Sequence, residues 1–186
     1  MPELIPHAPD NPEFARVLEV RQLRDLESFD FSIAPTAEEA PALARLLGAQ
    51  AVRKLRFAGR MARLAGGGWQ LEGELGATVI QTCVVTLDPL TTRIDQPVRR
   101  TFLPQADATG PELVISPDDD DEIEPLGERI DLGLVAIEAL ALALPAYPRK
   151  PGASFGPPES TLGDEESEAK PFAALAALRG KIGSGS

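Results

Sequence analysis

Apolar and charged positions alternate with a period of two along "RKLRFAGRMARL", where Leu55, Phe57 and Met61 interleave with Lys54, Arg56 and Arg60. That spacing predicts a half-buried β-strand with one face in the core and a basic stripe on the other. "AGGG" then turns the chain, and "WQLEGELGATV" places Trp69, Leu71, Leu75, Ala77 and Val79 on one face with Gln70, Glu72 and Glu74 on the other. Core must face core across such a hairpin, so paired residue numbers sum to an even number, as for Met61 with Leu71 and Arg60 with Glu72. This requires an odd loop, such as three residues with a glycine at positive φ. Part of the basic stripe is then expected to be consumed by Glu72 and Glu74.

Continued alternation would put Cys83, Val85 and Leu87 on the core face too. A run from 69 to 87 is too long for one unbroken strand, so a kink is expected at Gly73 or Gly76. After the turn-forming Asp88-Pro89, "LTTRIDQPVRRTFLP" returns with Ile94, Val98 and Phe102 on one face. An even loop predicts Cys83 opposite Ile94 and Val79 opposite Val98. Pro97 donates no ladder hydrogen bond, so this strand is expected to have a free edge there.

Two helical patterns flank the strands. In "TAEEAPALARLLG", Thr36 and Glu39 fit a capping box, Leu43, Leu46 and Leu47 form an apolar stripe, and Gly48 ends it; Pro41 belongs in a first turn, which delays the start to residues 38–40. "RIDLGLVAIEALALALP" has Asp131 as N-cap, Pro145 as stop and Glu138 as the one charge, so this helix must be buried across a sheet face. Between strands and helix, "LVIS" reads as a short strand and "PDDDDEIEPLGE" as a solvated acidic run.

Together these elements predict an α+β fold: an antiparallel, strongly bent sheet or partial barrel of about five to six strands packed by one long buried helix, with a short N-terminal helix and a C-terminal helix. The expected organisation is a flexible stretch 1–12, a single domain 13–146 that includes an acidic loop 104–128, a disordered linker 147–170, a docking helix 171–180 and a flexible tail 181–186. In that helix Phe172, Leu175 and Leu178 share a side, but the segment is too short to be stable alone.

The net charge of −11 argues against nucleic acid until its distribution is considered. Residues 1–44 carry −6, residues 45–105 carry +5, residues 106–170 carry −12 and residues 171–186 carry +2. A basic middle therefore lies between acidic segments, which suits either a polyanion-facing surface or an ordinary solvated sheet face. The longest apolar run contains Glu138 and falls short of the roughly 20 residues a bilayer needs. No signal peptide is visible and a lone thiol forms no internal disulfide, so a cytoplasmic protein is expected.

Candidate chemistry is sparse. His7 is the sole histidine, in a proline-rich stretch, so Cys83 has no evident base and is expected to be a core side chain rather than a nucleophile. "AGGG" joins two strands and is a hairpin turn, not a phosphate loop. The acidic run lacks the spacing of a calcium loop. No metal, cofactor or catalytic residue is assigned.

"QTCVVTLDPL", followed by "ERIDLGLVAIEALALALPAYPRKP" and "KPFAALAAL", resembles the YceD family, the large ribosomal RNA subunit accumulation proteins of bacteria and chloroplasts. The resemblance covers roughly residues 13 to 180. It implies a mixed α and β domain without recognised catalytic residues, needed for maturation or accumulation of large-subunit ribosomal RNA. Cys83 matches the first cysteine of the family's C-x-x-C-L turn, with Leu87 and Pro89 as the leucine and proline that follow. Asp131 and Leu132 match the I-D-L that opens the long helix, and Pro145 the proline that closes it. Thr86 stands where many members have a second cysteine, and "YPRKPGASF" lacks their further cysteines. One thiolate without a histidine cannot close a tetrahedral zinc site; if relatives bind zinc, this chain has replaced the metal with packing.

The expected function is that of a noncatalytic, monomeric ribosome-assembly factor. Lys54, Arg56, Arg60, Arg63, Arg93, Arg99 and Arg100 are the candidates for contacting ribosomal RNA. Asp118, Asp119, Asp120, Asp121, Glu122 and Glu124 are the candidates for binding a basic ribosomal or processing protein. A general acidic adaptor is a further alternative. So is an enzyme, whether an RNA-processing nuclease or a thiol-dependent hydrolase, and it would need clustered acids or an activated Cys83.

Overall fold

A computed structural model of the protein describes residues 2–6, 11–104 and 122–154. Residues 1–153 form one compact unit, and residues 154–186 fall in a second that, apart from Ser154, lies outside the described residues. The expected helix 171–180, His7, the "LVIS" segment and Asp118 to Asp121 also lie outside them.

The architecture is α+β, with two helices among the described residues. Strands β2 (Ser28–Ile33), β3 (Ala51–Arg63), β4 (Trp69–Thr82), β5 (Pro89–Pro104) and β6 (Glu122–Leu126) form a five-stranded sheet in that order. The sheet is not closed into a barrel: β2 and β6 stand at its edges among the described residues. Neighbours are antiparallel except β5 and β6, which run parallel, so the all-antiparallel expectation is also corrected. A second small sheet pairs β1 (Val17–Glu19) with β7 (Arg129–Asp131). Helix α1 spans Glu39–Leu46, and α2 spans Leu132–Ala143, packing against β4, β5 and β1.

The β3–β4 hairpin has the register the alternation demands: Met61 pairs with Leu71 and Arg60 with Glu72. The Leu64 N–H donates to the Gly68 carbonyl at 2.8 Å, which leaves residues 65–67 as a three-residue loop with Gly66 and Gly67 at φ 93° and 90°. Positive φ at both positions is what glycine supplies without steric penalty. Further along, Gly59 pairs with Gly73, and the strands approach so closely that a Cβ on Gly59 would stand 2.1 Å from the Glu72 carbonyl oxygen. The rings of Phe31 and Phe57 close over the gap in an edge-on pair with centroids 5.0 Å apart.

Strand β4 runs unbroken from Trp69 to Thr82 and keeps one register with β5, so no bulge interrupts it at Gly73 or Gly76. The irregularity lies on the partner strand, where the register shifts between Arg53 and Arg56 and Lys54 adopts φ 52°. The β4–β5 loop is even, but the pairing differs from expectation: Ala77 faces Ile94, Val79 faces Thr92 and Gly73 faces Val98. Alternation specifies which residues point inward and leaves the offset along the strand open, and the six-residue turn 83–88 sets that offset. Ile94, Val98 and Phe102 are buried as expected. Pro97 lies on a stretch of β5 that has only β4 as partner among the described residues, since β6 joins from Arg100 onward.

Both helices begin as their sequences require. Thr36 and Glu39 exchange backbone-to-side-chain bonds of 2.7 and 3.2 Å, a reciprocal capping box. Arg16 grips both Glu39 carboxylate oxygens at 2.8 Å, and chiefly this bond holds the Glu39 pKa below the usual carboxylate range. Gly48, at φ 62°, ends the helix, but Leu46 faces solvent and Ala44 takes its place beside Leu43 in the core. Asp131 caps α2 by accepting from the Gly133 N–H at 2.9 Å, and also binds the Arg16 N–H and the Asn11 amide. Its carboxylate thereby fastens residues 11–16 to the helix start. Within the stretch expected to be flexible, Ile5 exchanges backbone bonds with Val17.

Candidate functional site

The face of the sheet opposite the core carries its charge in register. Asp30 on β2 pairs with Arg60 on β3, Arg60 with Glu72 on β4, and Glu72 with Arg99 on β5, so a row of alternating sign crosses four strands. Arg99 meets Glu72 at 3.2 Å, while Arg60 donates to the Ser28 hydroxyl. A groove of about 1010 Å³ follows this row and reaches Ala139 and Leu142 of α2. With both signs present, the row offers little net field to a polyanion. Arg63, near the hairpin, is bound to the Arg24 carbonyl at 2.6 Å.

The other end of the same face differs. Arg53 lies opposite Thr78, which lies opposite Arg93, and Arg56 lies opposite Gly76, which lies opposite Asp95. Arg53, Lys54, Arg56 and Arg93 are all exposed. Arg93 makes a two-pronged pair with Asp95, which raises its pKa and lowers that of Asp95, and its guanidinium lies across the bare surface of Gly76. Arg56 donates to the Ser32 hydroxyl at 3.2 Å. Four cations thus have one carboxylate, Asp95, in their cross-strand rows, and Glu74, paired with Ala58 and Pro97, is the next outward acid along β4.

Of the seven basic residues singled out in the sequence, Lys54, Arg56 and Arg93 come together at this end. Arg60 and Arg99 belong to the balanced row. Arg100 is not a surface cation: its side chain is 10% exposed and is held by Glu124 and by Glu138 at 3.2 Å, tying β5 to β6 and α2. Arg53 was not among the seven, although "VRKL" carries the signal, since two polar residues between buried Val52 and Leu55 break the alternation and mark a bulge.

The acidic candidates also change character. Glu122 and Glu124 lie in β6, with Glu122 paired to Arg100 in register and Glu124 bonded to its guanidinium. The solvated run expected there is, from residue 122, a sheet strand.

Cys83 is fully buried, but the strand stops at Thr82, so it does not continue the inward row of β4. It sits in the turn 83–88, where its sulfur accepts the N–H groups of Thr86 at 3.5 Å and Lys150 at 3.4 Å. The Thr86 hydroxyl first, then these N–H groups, outweigh burial and lower the thiol pKa to about 6. Leu87, at φ 60°, is 75% exposed, contrary to the inward position expected. The Val84 N–H donates to the Pro148 carbonyl, and Lys150 Nζ meets Asp88 at 2.9 Å, lowering the Asp88 pKa. Residues 148–150, placed in the linker by composition, are therefore bonded to this turn. Pro89 opens β5, Leu132 is buried at the first turn of α2, and the Pro145 carbonyl accepts the Gln81 amide at 3.3 Å.

Among the described residues no group of three or more His, Cys, Asp or Glu side chains converges as a metal site, and no helix is long and apolar enough to cross a membrane. The fold and this face define an α+β protein whose charged side chains are spread over an open sheet. A family model described as Large ribosomal RNA subunit accumulation protein YceD matches residues 71–179, and the chain belongs to that family. The matched span begins in β4 and contains the Cys83 turn, β5 and α2; β2, α1 and β3 precede it. No curated protein and no solved structure matches the chain.

Proposed function

We propose that this protein is a noncatalytic assembly factor that supports accumulation of large-subunit ribosomal RNA by contacting RNA phosphates through the cationic end of its sheet. The observation that carries this reading is the grouping of Arg53, Lys54, Arg56 and Arg93 among exposed residues, with Asp95 as the one acid in the cross-strand rows of Arg53 and Arg56. Family membership supplies the theme of large-subunit RNA, and the surface supplies a way to engage it. With a net charge of −11, the molecule as a whole repels RNA, so attraction must act within roughly 10 Å of the surface, where screening leaves local charges dominant. Such contacts position a backbone without reading bases.

Titrating the full chain against deproteinised large-subunit ribosomal RNA at several salt concentrations tests this. Three to four phosphate contacts give a slope of log affinity on log salt of roughly −2 to −3.5. A flat salt dependence, or binding untouched by charge reversal at Arg56 and Arg93, would refute the reading.

A further inference from the structure

Lys54 has a backbone conformation that its residue type disfavours. In β3, Arg53 pairs with Thr78 and Arg56 with Gly76, so Lys54 and Leu55 together oppose the single residue Ala77. The extra residue is Lys54, at φ 52°. A bulge residue in the left-handed region is the position glycine fills without steric penalty, and any side chain there crowds its own backbone. Strain of this kind persists where the surrounding structure enforces it and clusters at functional sites.

Neither internal bonding nor burial accounts for a lysine here. Lys54 is exposed, and among the described residues no hydrogen bond or ion pair engages its side chain. What the bulge does is add a cation without lengthening the ladder. Val52 and Leu55 remain inward, Arg53 and Arg56 remain outward, and Lys54 is added between them. Three cations then occupy four consecutive residues, beside an Arg93 guanidinium laid over Gly76, the partner of Arg56. A regular strand would present one fewer charge in the same length.

We propose that Lys54 is a phosphate-binding residue retained at a glycine-favouring bulge, so that the protein accepts backbone strain in exchange for a denser cationic site for RNA. This rests on the RNA reading above and deepens it. The compact ammonium of lysine suits a single phosphate oxygen cluster approached as a point charge, whereas the neighbouring arginines can grip two oxygens at once.

The test uses the full chain carrying Lys54→Gly, Lys54→Gln or the pair Arg56→Glu and Arg93→Glu, with large-subunit ribosomal RNA as probe and a polyglutamate peptide as competitor. Lys54→Gly is expected to melt at the same temperature as the parent or higher, because relief of the left-handed strain offsets the entropy glycine adds to the unfolded chain. It should also bind RNA on the order of threefold to tenfold more weakly, with the salt slope reduced by about 0.7 to 0.9. Lys54→Gln should lose as much affinity without any gain in melting temperature. If Lys54→Gly binds RNA like the parent while the arginine pair abolishes binding, this inference fails and the RNA reading stands. If neither change matters, the RNA reading itself fails. A clear drop in melting temperature for Lys54→Gly overturns the strain half. Preferential binding of polyglutamate over RNA assigns the site to an acidic protein and overturns the proposal.

Discussion

At one end of the sheet's outward face, Asp30, Arg60, Glu72 and Arg99 stand side by side on four strands; at the other, Arg53, Lys54, Arg56 and Arg93 gather around one in-register acid, Asp95, with Glu74 between the two ends. Both ends are made by β3, β4 and β5, and both supply arginines to the surface. They differ in what register places across from each cation. At the balanced end the neighbour is a carboxylate, and at the other it is Thr78 or Gly76. A count of basic residues therefore says little about where a polyanion could settle, and cross-strand pairing says a good deal.

Substitutions at the two ends should separate stability from binding. The largest effect is expected from Gly59→Ala beside the balanced row, where the new methyl would meet backbone atoms of Glu72 and Gly73. A loss of about 3 kcal/mol or more is expected in thermal or urea unfolding, because neither strand can move aside. RNA affinity per folded molecule should be unchanged; a fully stable variant would show that the glycine pair is not a close approach. Next, Arg100→Met should cost about 2 kcal/mol by leaving Glu124 and Glu138 without their shared cation, the partial exposure of both acids keeping the loss below that of a fully buried pair.

At the cationic end, Arg56→Glu with Arg93→Glu should weaken RNA binding by about tenfold or more while leaving the melting curve near that of the parent. The turn that closes this end carries a pH signature. A thiol whose folded pKa is about 6 adds stability that is complete above its unfolded pKa, roughly 8.5, and is lost as pH falls through 6. Unfolding free energy should thus rise between pH 6 and pH 9, and Cys83→Ala should flatten that rise; an identical slope in the variant would remove Cys83 as its source. The smallest effect belongs to Arg60→Glu, expected to change RNA affinity by no more than about twofold, since its neighbours already cancel much of its field. If it matches the Arg56 and Arg93 pair in effect, the distinction between the two ends fails.

How far these features were legible in the sequence follows from the range of the interaction that determines each. The β3–β4 register, the Thr36–Glu39 capping box and the Asp131 cap are set by residues close in sequence or by alternation, and all three could be read. The offset of β5 could not, because apolar alternation fixes parity and is indifferent to a slide by an even number of residues. The pairing of β6 parallel to β5 was hidden in an acidic stretch whose carboxylates look solvated until Arg100, 24 residues away, is placed beside Glu124. Strand β2 carries a legible signal, with Phe29, Phe31 and Ile33 buried at alternate positions, although the sheet expected from sequence begins only at β3. Arg53 was missed because a bulge makes two neighbouring residues both face solvent, which a period of two forbids.

The bond from Lys150 to the Cys83 sulfur spans 67 residues of chain, whereas the β3–β4 hairpin closes within a few. During synthesis, which delivers the chain from its N-terminus at roughly 5–20 residues per second, the hairpin can form soon after it emerges. The turn at 83–88 has bonds of its own, but its ties to Pro148 and Lys150 have to wait for α2 and the segment beyond it. The bonds from residues 148–150 to this turn are therefore made after the residues of both ends of the charged face have been synthesised, and they fasten a hairpin whose strands are already complete.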